Sequence, residues 1–227
     1  MTIKFHNDFE QGSQQWLDAR LGLMTASEMK LVITPTLKIA ANDKVRAHIF
    51  ELAAQRITRF VEPHYVSDDM LRGHEDEVEA RIAYEKQNGV DVQQVGFLTN
   101  DKWGFTVGYS PDGLVGDDGQ IECKSRRQKH QIKAITELLP NDDDIIQVQT
   151  GLLVSERKWC DYISYSGGLP MLTLRVYPDP VIHAAIVTAA TQFEGQVLAT
   201  VKKYNDNVNA KVERMVPTER IERGDII

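Results

Sequence analysis

The residues best suited to chemistry lie in two short stretches, Tyr109-Ser110-Pro111-Asp112-Gly113 and Ile121-Glu122-Cys123-Lys124. An aspartate follows one strand-like run, a turn signal at Asp117-Asp118-Gly119 intervenes, and the next run offers acid, any residue, lysine. Side chains on a strand alternate between faces, so Glu122 and Lys124 share one face and Cys123 points into the layer behind. A hairpin at the turn signal folds Asp112 back beside Glu122, gathering two carboxylates and one ammonium around a small volume. Hard oxygen ligands this close suit Mg²⁺ or Mn²⁺, which favour carboxylates and keep part of their hydration. A metal makes its bound water easier to deprotonate and polarises a phosphoryl oxygen, so the constellation suits metal-assisted phosphodiester hydrolysis. Lys124 would orient the attacking water or offset charge on the phosphate. Alone, the pattern is weak: Asp-Gly turns are common, and E-x-K often marks a solvated strand face.

Other residues strengthen it. Glu77, in the first turns of a helix opening after Gly73, could supply a third carboxylate, although the helix dipole alone favours acids there. Gln147 and Gln149 sit two apart on a helix and so face different directions. The stripe of Ile145, Val148 and Leu152 makes Gln149 the inward one. Lys124, Arg126, Arg127, Lys129, His130 and Lys133 form a basic cluster in an otherwise acidic chain, either a phosphate track or a solvated face. His130 has no second histidine at metal-ligand spacing. Arg20 and Ser27 offer a guanidinium fork and a hydroxyl near a helix start, a natural cradle for a dianionic phosphate. The plainer reading is that Thr25 and Ser27 only cap that helix, and Trp16 reads as a core aromatic.

These residues need a frame. QWLDARLGLMTAS predicts a helix, a break at Gly22 and a new helix capped near Thr25 or Ser27. Helical spacing continues from about Asn42 to Phe60, and again after Gly73, where Val78, Ile82 and Ala83 form one stripe and Asn88-Gly89 a stop. Strand-like runs follow at Val90 to Leu98, Trp103 to Tyr109 and Gln120 to Lys124. A helix from about Asp143 to Ser155, strands at Trp159 to Tyr165 and Met171 to Val176, and a long helix from Pro180 to about Tyr204 complete the order. The stretch from Asn205 to Ile227 is expected to be loosely attached. The alternation predicts an α/β fold with a mixed central sheet flanked by helices.

Composition narrows the class. A chain of 227 residues, 42% hydrophobic and with no low-complexity segment, fits a single domain over residues 1–227. A net charge of -7 argues against histone-like coating of nucleic acid but leaves room for a local basic track. No apolar run reaches membrane-spanning length and MTIKFHNDFE lacks an apolar signal core, so a cytoplasmic protein without a membrane partner is expected. Two distant cysteines, Cys123 and Cys160, rule out a four-cysteine iron–sulfur cluster within the chain and read as free thiols.

Taken in order, these pieces resemble the lambda-type phage exonucleases, the viral recombinase or alkaline exonuclease family of the PD-(D/E)xK nuclease superfamily. The resemblance runs from about Gln14 to Tyr165 and rests on WLDARLGLMTAS, RGHEDEVEAR, SPDGL, ECK and QVQ followed by a strand containing Trp159. It implies a restriction-endonuclease-like core and a Mg²⁺-dependent 5′→3′ exonuclease. Such a hydrolase releases 5′-mononucleotides from linear double-stranded DNA and leaves 3′ single-stranded tails for recombination. By resemblance, Asp112, Glu122 and the Cys123 carbonyl bind metal, Glu77 holds a second Mg²⁺, and Mn²⁺ can substitute. Lys124 acts on the attacking water. The family's pattern favours Gln147 for the phosphate contact, against Gln149 from the helical wheel. Arg20, Ser27 and Ser110 match the cradle of a terminal 5′-phosphate. The basic residue completing that cradle departs from the pattern, leaving Arg126, Arg127, Lys129 or His130 to take the part. The resemblance further implies a toroidal homotrimer around DNA, a phage single-strand annealing protein as partner, and the cytoplasm of a bacterial host. A structure-selective endonuclease of the same superfamily and a non-catalytic DNA-end-binding module are the alternatives.

Overall fold

In the computed structural model, residues 2–63, 67–210 and 213–220 are described, with the backbone alone for 68–70. The amino-terminal half runs β1 (Ile3–His6), α1 (Gln14–Arg20), β2 (Met24–Thr25), α2 (Met29–Val32), α3 (Asp43–Thr58), α4 (Asp68–Asn88), β3 (Val92–Gln93) and β4 (Phe97–Asn100). Then come β5 (Val107–Tyr109), β6 (Gly113–Val115), β7 (Gly119–Ser125), α5 (Gln128–Glu137), α6 (Asp142–Ser155), β8 (Trp159–Tyr165), β9 (Leu172–Val176) and α7 (Pro180–Ala210). The α/β class is as expected, but the strands form two mixed sheets. One has the order β1-β4-β5-β2 and the other β3-β6-β7-β8-β9. Within the second, β7 and β8 run parallel and the remaining pairs antiparallel.

Local chemistry explains the helix starts. Ser13 Oγ accepts from Trp16 N at 3.3 Å to open α1, and Asn42 Oδ1 accepts from Lys44 N and Val45 N to open α3. The expected cap at Thr25 or Ser27 is corrected: Thr25 belongs to β2, and α2 starts after Glu28 with no side-chain cap. The turn joining β6 to β7 is Gly116-Asp117-Asp118, with Gly116 left-handed at φ +51 and Gly119 already in β7. Strand β6 itself lies where only a turn was expected, and α5 falls in the basic cluster, where no apolar stripe announced it.

Helix α4 begins before Gly73, and its inward face is Ala80 and Tyr84. The expected stripe is corrected, because Val78 and Ile82 are 43% and 52% exposed. What ties α4 to the second sheet is polar: Tyr84 Oη donates to buried Asp161 on β8 at 2.6 Å. Arg175 of β9 clamps the same carboxylate with two bonds of 2.8 Å. Helix α7 lays Ile186, Ala189, Phe193 and Val197 against the core as its periodicity predicts. It continues to Ala210, so Asn205 to Ala210 is helical, with its residues exposed, and Arg220 stacks on Phe60 at 3.4 Å. Residues 211, 212 and 221–227 of the expected tail lie outside the described residues.

Helix α6 decides the geometry of the interior. It packs against α2, α7, β4, β5 and β8, and is buried on nearly every side. Its close approach to β5 requires Gly151, because a Cβ there would lie 2.6 Å from Tyr109 Cζ. Tyr109 is 1% exposed and has nowhere to retreat. Gly151→Ala is therefore expected to lower stability by about 1–3 kcal/mol through overpacking, read as a fall in the midpoint of denaturant unfolding.

Candidate active site

The β6–β7 hairpin does what the spacing requires. Gly113 pairs with Ile121, which sets the preceding residue, Asp112, opposite Glu122. The Cys123 amide donates to Asp112 Oδ2 at 2.5 Å and pins the aspartate to the strand. Alternation along β7 sends Ile121 and Cys123 toward α4 and Gln120, Glu122 and Lys124 toward α6. Cys123 and Cys160 are free thiols.

Glu122 is 1% exposed, so its charge depends on donors brought to it. Lys124 Nζ donates to Oε1 at 2.8 Å, the Gln147 amide donates to the same oxygen, and Tyr109 Oη donates to Oε2 at 3.0 Å. Gln147 also accepts from Lys124 Nζ at 3.0 Å, closing a triangle of acid, amide and ammonium. Behind Tyr109, Gln120 donates to its hydroxyl at 3.3 Å and accepts from Ser155 Oγ at 2.7 Å. Burial alone would lower Lys124, but the Glu122 and Asp112 carboxylates outweigh it and hold the ammonium above its ordinary range.

Gln147 thus meets the site. The wheel expectation for Gln149 is corrected: it is buried, but its amide donates to Tyr177 O at 2.8 Å and accepts from Asp179 N at 2.9 Å, bracing the start of α7. A helix enclosed on nearly all sides has more than one inward direction, so its wheel could not choose.

Burial, followed by the Glu122 and Glu77 charges, pushes the Asp112 carboxyl well above the usual carboxylate range. Glu77 is raised as well, by burial first, against the pull of Arg81 and His74. The two acids line one cleft of about 460 Å³ with Pro111, His74, Arg81 and Gln94. Mutually repelling hard oxygens, with Lys124 engaged by Glu122 and Gln147, form a donor set that fits a hard divalent cation. Among the described residues no three His, Cys, Asp or Glu side chains converge on one point. The fit is therefore to an ion held by one or two carboxylates and keeping its other positions for water or phosphate, as Mg²⁺ does. Asp112 and Glu122 would hold it, with Glu77 lining the same cleft as Asp112.

The three cradle residues also come together. Arg20 Nη1 lies 3.5 Å from Ser110 Oγ, which accepts from Trp16 Nε1 at 2.9 Å. Arg20 Nη2 lies 3.3 Å from Thr25 Oγ1, and Thr25 is 3.2 Å from Ser27 Oγ. The guanidinium stacks on the Trp16 ring at 4.1 Å, so Trp16, expected in the core, is a half-buried platform for Arg20. Thr25 and Tyr109 are the residues missed by sequence reasoning. Thr25 stands in the T-A-S motif, where its residue type signals only a cap, and a lone tyrosine at a strand end carries no signal.

The basic track divides. Arg126 pairs with Asp144 and donates to Tyr162 Oη at 2.7 Å. Arg127 precedes α5 as its cap residue, and Lys129 and His130 are exposed on that helix's first turn. The helix is anchored by Gln131, whose amide donates to Ser164 O at 3.0 Å and Pro170 O at 2.7 Å.

Comparison with known proteins places this geometry. The family described as the YqaJ-like viral recombinase domain matches residues 15–158. An alkaline exonuclease from Laribacter hongkongensis, also solved in complex with dAMP, superimposes with a TM-score of 0.78 at 32% identity, covering 88% of this chain and all of that one. A phage-related exonuclease from Haemophilus somnus 129PT, at 12% identity and a TM-score of 0.56, covers 78% of this chain and 96% of its own and shares the fold. No curated protein matches by sequence.

The raised Asp112 carboxyl has a stability consequence in metal-free protein. A carboxyl raised on folding favours the native state below its unfolded value, and that contribution is lost as pH climbs through the native value. The window thus opens near the ordinary aspartate value of about 4. Asp112→Asn keeps the acceptor for Cys123 N and removes the charge. With chelator present, its stability relative to the wild type is expected to rise as pH increases from about 4 toward neutrality, measured by urea unfolding at each pH.

Proposed function

The chain belongs to the YqaJ-like viral recombinase domain family, and from that membership and the site's geometry we propose that it is a Mg²⁺-dependent 5′→3′ exonuclease on linear duplex DNA. The observation that carries this is the shortness of the link between the two clusters. Ser110 of the Arg20 cluster and Asp112 of the carboxylate pair are two residues apart on one chain segment. Two residues span at most about 7 Å, so an anchored terminal phosphate and the bond to be cut lie about one nucleotide apart. That spacing supports release of mononucleotides, and each cut exposes a new end for the same anchor. The dAMP complex of the Laribacter alkaline exonuclease supports the same product class.

The metal, one or two Mg²⁺ with Mn²⁺ as a substitute, would be held by Asp112, Glu122, the Cys123 carbonyl and Glu77, and would supply Lewis acidity and a more acidic water. The chain's own groups do the positioning. Lys124, held as a cation, orients the attacking water and offsets phosphate charge. Gln147 fixes Lys124 and Glu122 relative to each other, and Tyr109 keeps the second oxygen of Glu122 turned inward. Arg20, Ser27 and Ser110 hold the terminal phosphate. Arg127, Lys129 and His130, exposed beyond Lys124, guide the strand's backbone, whereas Arg126 is committed to Asp144.

The exposed Leu71, Val78 and Ile82 on α4 support assembly of several copies, for which the family suggests a homotrimeric ring. The annealing protein that coats the exposed tail is the partner such an activity needs. Among the described residues no helix is long and apolar enough to cross a membrane.

The test uses labelled linear duplex with 5′-phosphate or 5′-hydroxyl ends, with Mg²⁺ or chelator, beside a covalently closed circle. Rapid Mg²⁺-dependent release of acid-soluble nucleotides from phosphorylated ends, with the circle intact, is expected. Cutting of the circle would point to an endonuclease, and binding without cleavage to an end-binding module. Asp112→Ala and Lys124→Ala are each expected to lower kcat by about 10²–10⁴-fold. Mg²⁺ should raise the Tm of the wild type but not of Asp112→Ala.

A further inference from the structure

Beneath the Arg20 cluster lies a second layer that no sequence motif names. The Thr25 hydroxyl donates to Glu28 Oε2 at 2.6 Å, shorter than its contacts with Arg20 at 3.3 Å and Ser27 at 3.2 Å. A hydroxyl has one proton and two lone pairs. With the proton held by Glu28, Thr25 Oγ1 faces its other neighbours as an acceptor. The Arg20 N–H therefore points at Thr25, and so does the Ser27 hydroxyl. Elsewhere Arg20 lies 3.5 Å from Ser110, stacks on Trp16, sits 5.7 Å from the Phe97 ring and feels the charge of Glu28.

Glu28 is itself half-buried. His48 of α3, 3% exposed, stands behind it with Nε2 3.9 Å from Glu28 Oε2. That distance is too long for a hydrogen bond, and His48 Nε2 has no hydrogen-bond partner among the described residues. The imidazole is held from its far side by Glu51 at 3.0 Å and rests on the Phe193 ring at 5.4 Å. A cavity of about 150 Å³ adjoins the group, lined by Trp16, Arg20, Thr25 and Glu28 among others.

We propose that Glu28 is a positioning residue for terminal-phosphate recognition: by accepting the Thr25 hydrogen bond it turns the Thr25 lone pairs toward Arg20 and Ser27 and holds both around Ser110. The inference rests on the terminal-phosphate reading given above and deepens it. Glu28 touches no substrate; it acts through Thr25, beside the direct pull of its charge on Arg20. Without an acceptor at position 28 the Thr25 hydroxyl is free to donate to Ser27, and the direction of the cluster is lost.

The test is steady-state kinetics on linear duplex with 5′-phosphate or 5′-hydroxyl ends, for the wild type, Glu28→Ala, Glu28→Gln and Thr25→Val. Glu28→Ala is expected to raise KM on phosphorylated ends about tenfold, with kcat within about twofold, and to shrink the preference for phosphate over hydroxyl by the same factor. Glu28→Gln keeps an acceptor oxygen and should restore most of the preference. Thr25→Val, nearly isosteric, should match Glu28→Ala, and the double variant should lose no more than either single one. Full preference in a folded Glu28→Ala, or an equal loss in Glu28→Gln, would overturn the proposal while leaving the terminal-phosphate reading intact. A wild type indifferent to the 5′-phosphate would overturn both.

Discussion

A carboxylate with almost no exposed surface must find its donors inside the protein, and Glu122 finds them on three elements at once. Lys124 comes from its own strand, Gln147 from α6 and Tyr109 from β5 in the other sheet. Removing any one leaves part of a buried polar group unsatisfied, a penalty of about 1–3 kcal/mol or more. This demand organises much of the interior. Tyr109 must stand at the junction of the two sheets, α6 must pass close over it, and Gly151 must lack a side chain for that approach to close. The strand alternation that gives β7 one polar and one apolar face then sends its apolar residues to α4.

A second buried charge fixes the other wall. Asp161 accepts from Tyr84 of α4 and from both arms of Arg175, whose guanidinium also covers the Trp159 ring at 3.8 Å. A fully paired carboxylate of this kind specifies one seating of α4 on the sheet, where a greasy face could slide. Glu77 enters the cleft because Ala80 and Tyr84, one and two turns further along, are fixed in this way. The exposed Val78 and Ile82 are the complement of that choice.

Much of this was legible in the sequence because strand geometry is strict. A period of two made Glu122 and Lys124 neighbours, and the turn made Asp112 their partner. The long α7 stripe read correctly because that helix buries one face. The reading failed where burial has no single direction or no apolar signature. The wheel of α6 chose Gln149 over Gln147, the apolar run of α4 pointed to the wrong face, and α5, seated by the amide of Gln131, offered no hydrophobic pattern to read. Arg20, Ser27 and Ser110 were legible as a group that the structure brings together, but Thr25, which links Arg20 to Ser27, carries only the signal of a cap. Hydrogen-bond layers beneath a motif leave no period in the sequence.

The division of labour between the two sheets has a further meaning. Thr25 and Ser110 belong to, or directly follow, strands of the first sheet, whereas Asp112, Glu122 and Lys124 lead into or lie on strands of the second. On the proposed reading, the feature that tells an end from an interior and the feature that breaks the bond sit on different sheets, joined by Pro111 and the Tyr109–Glu122 contact. Descendants of such a scaffold are free to rewrite what they recognise without rebuilding how they cut. Variation in end preference is therefore expected to accumulate on one sheet while the chemistry of the other stays put.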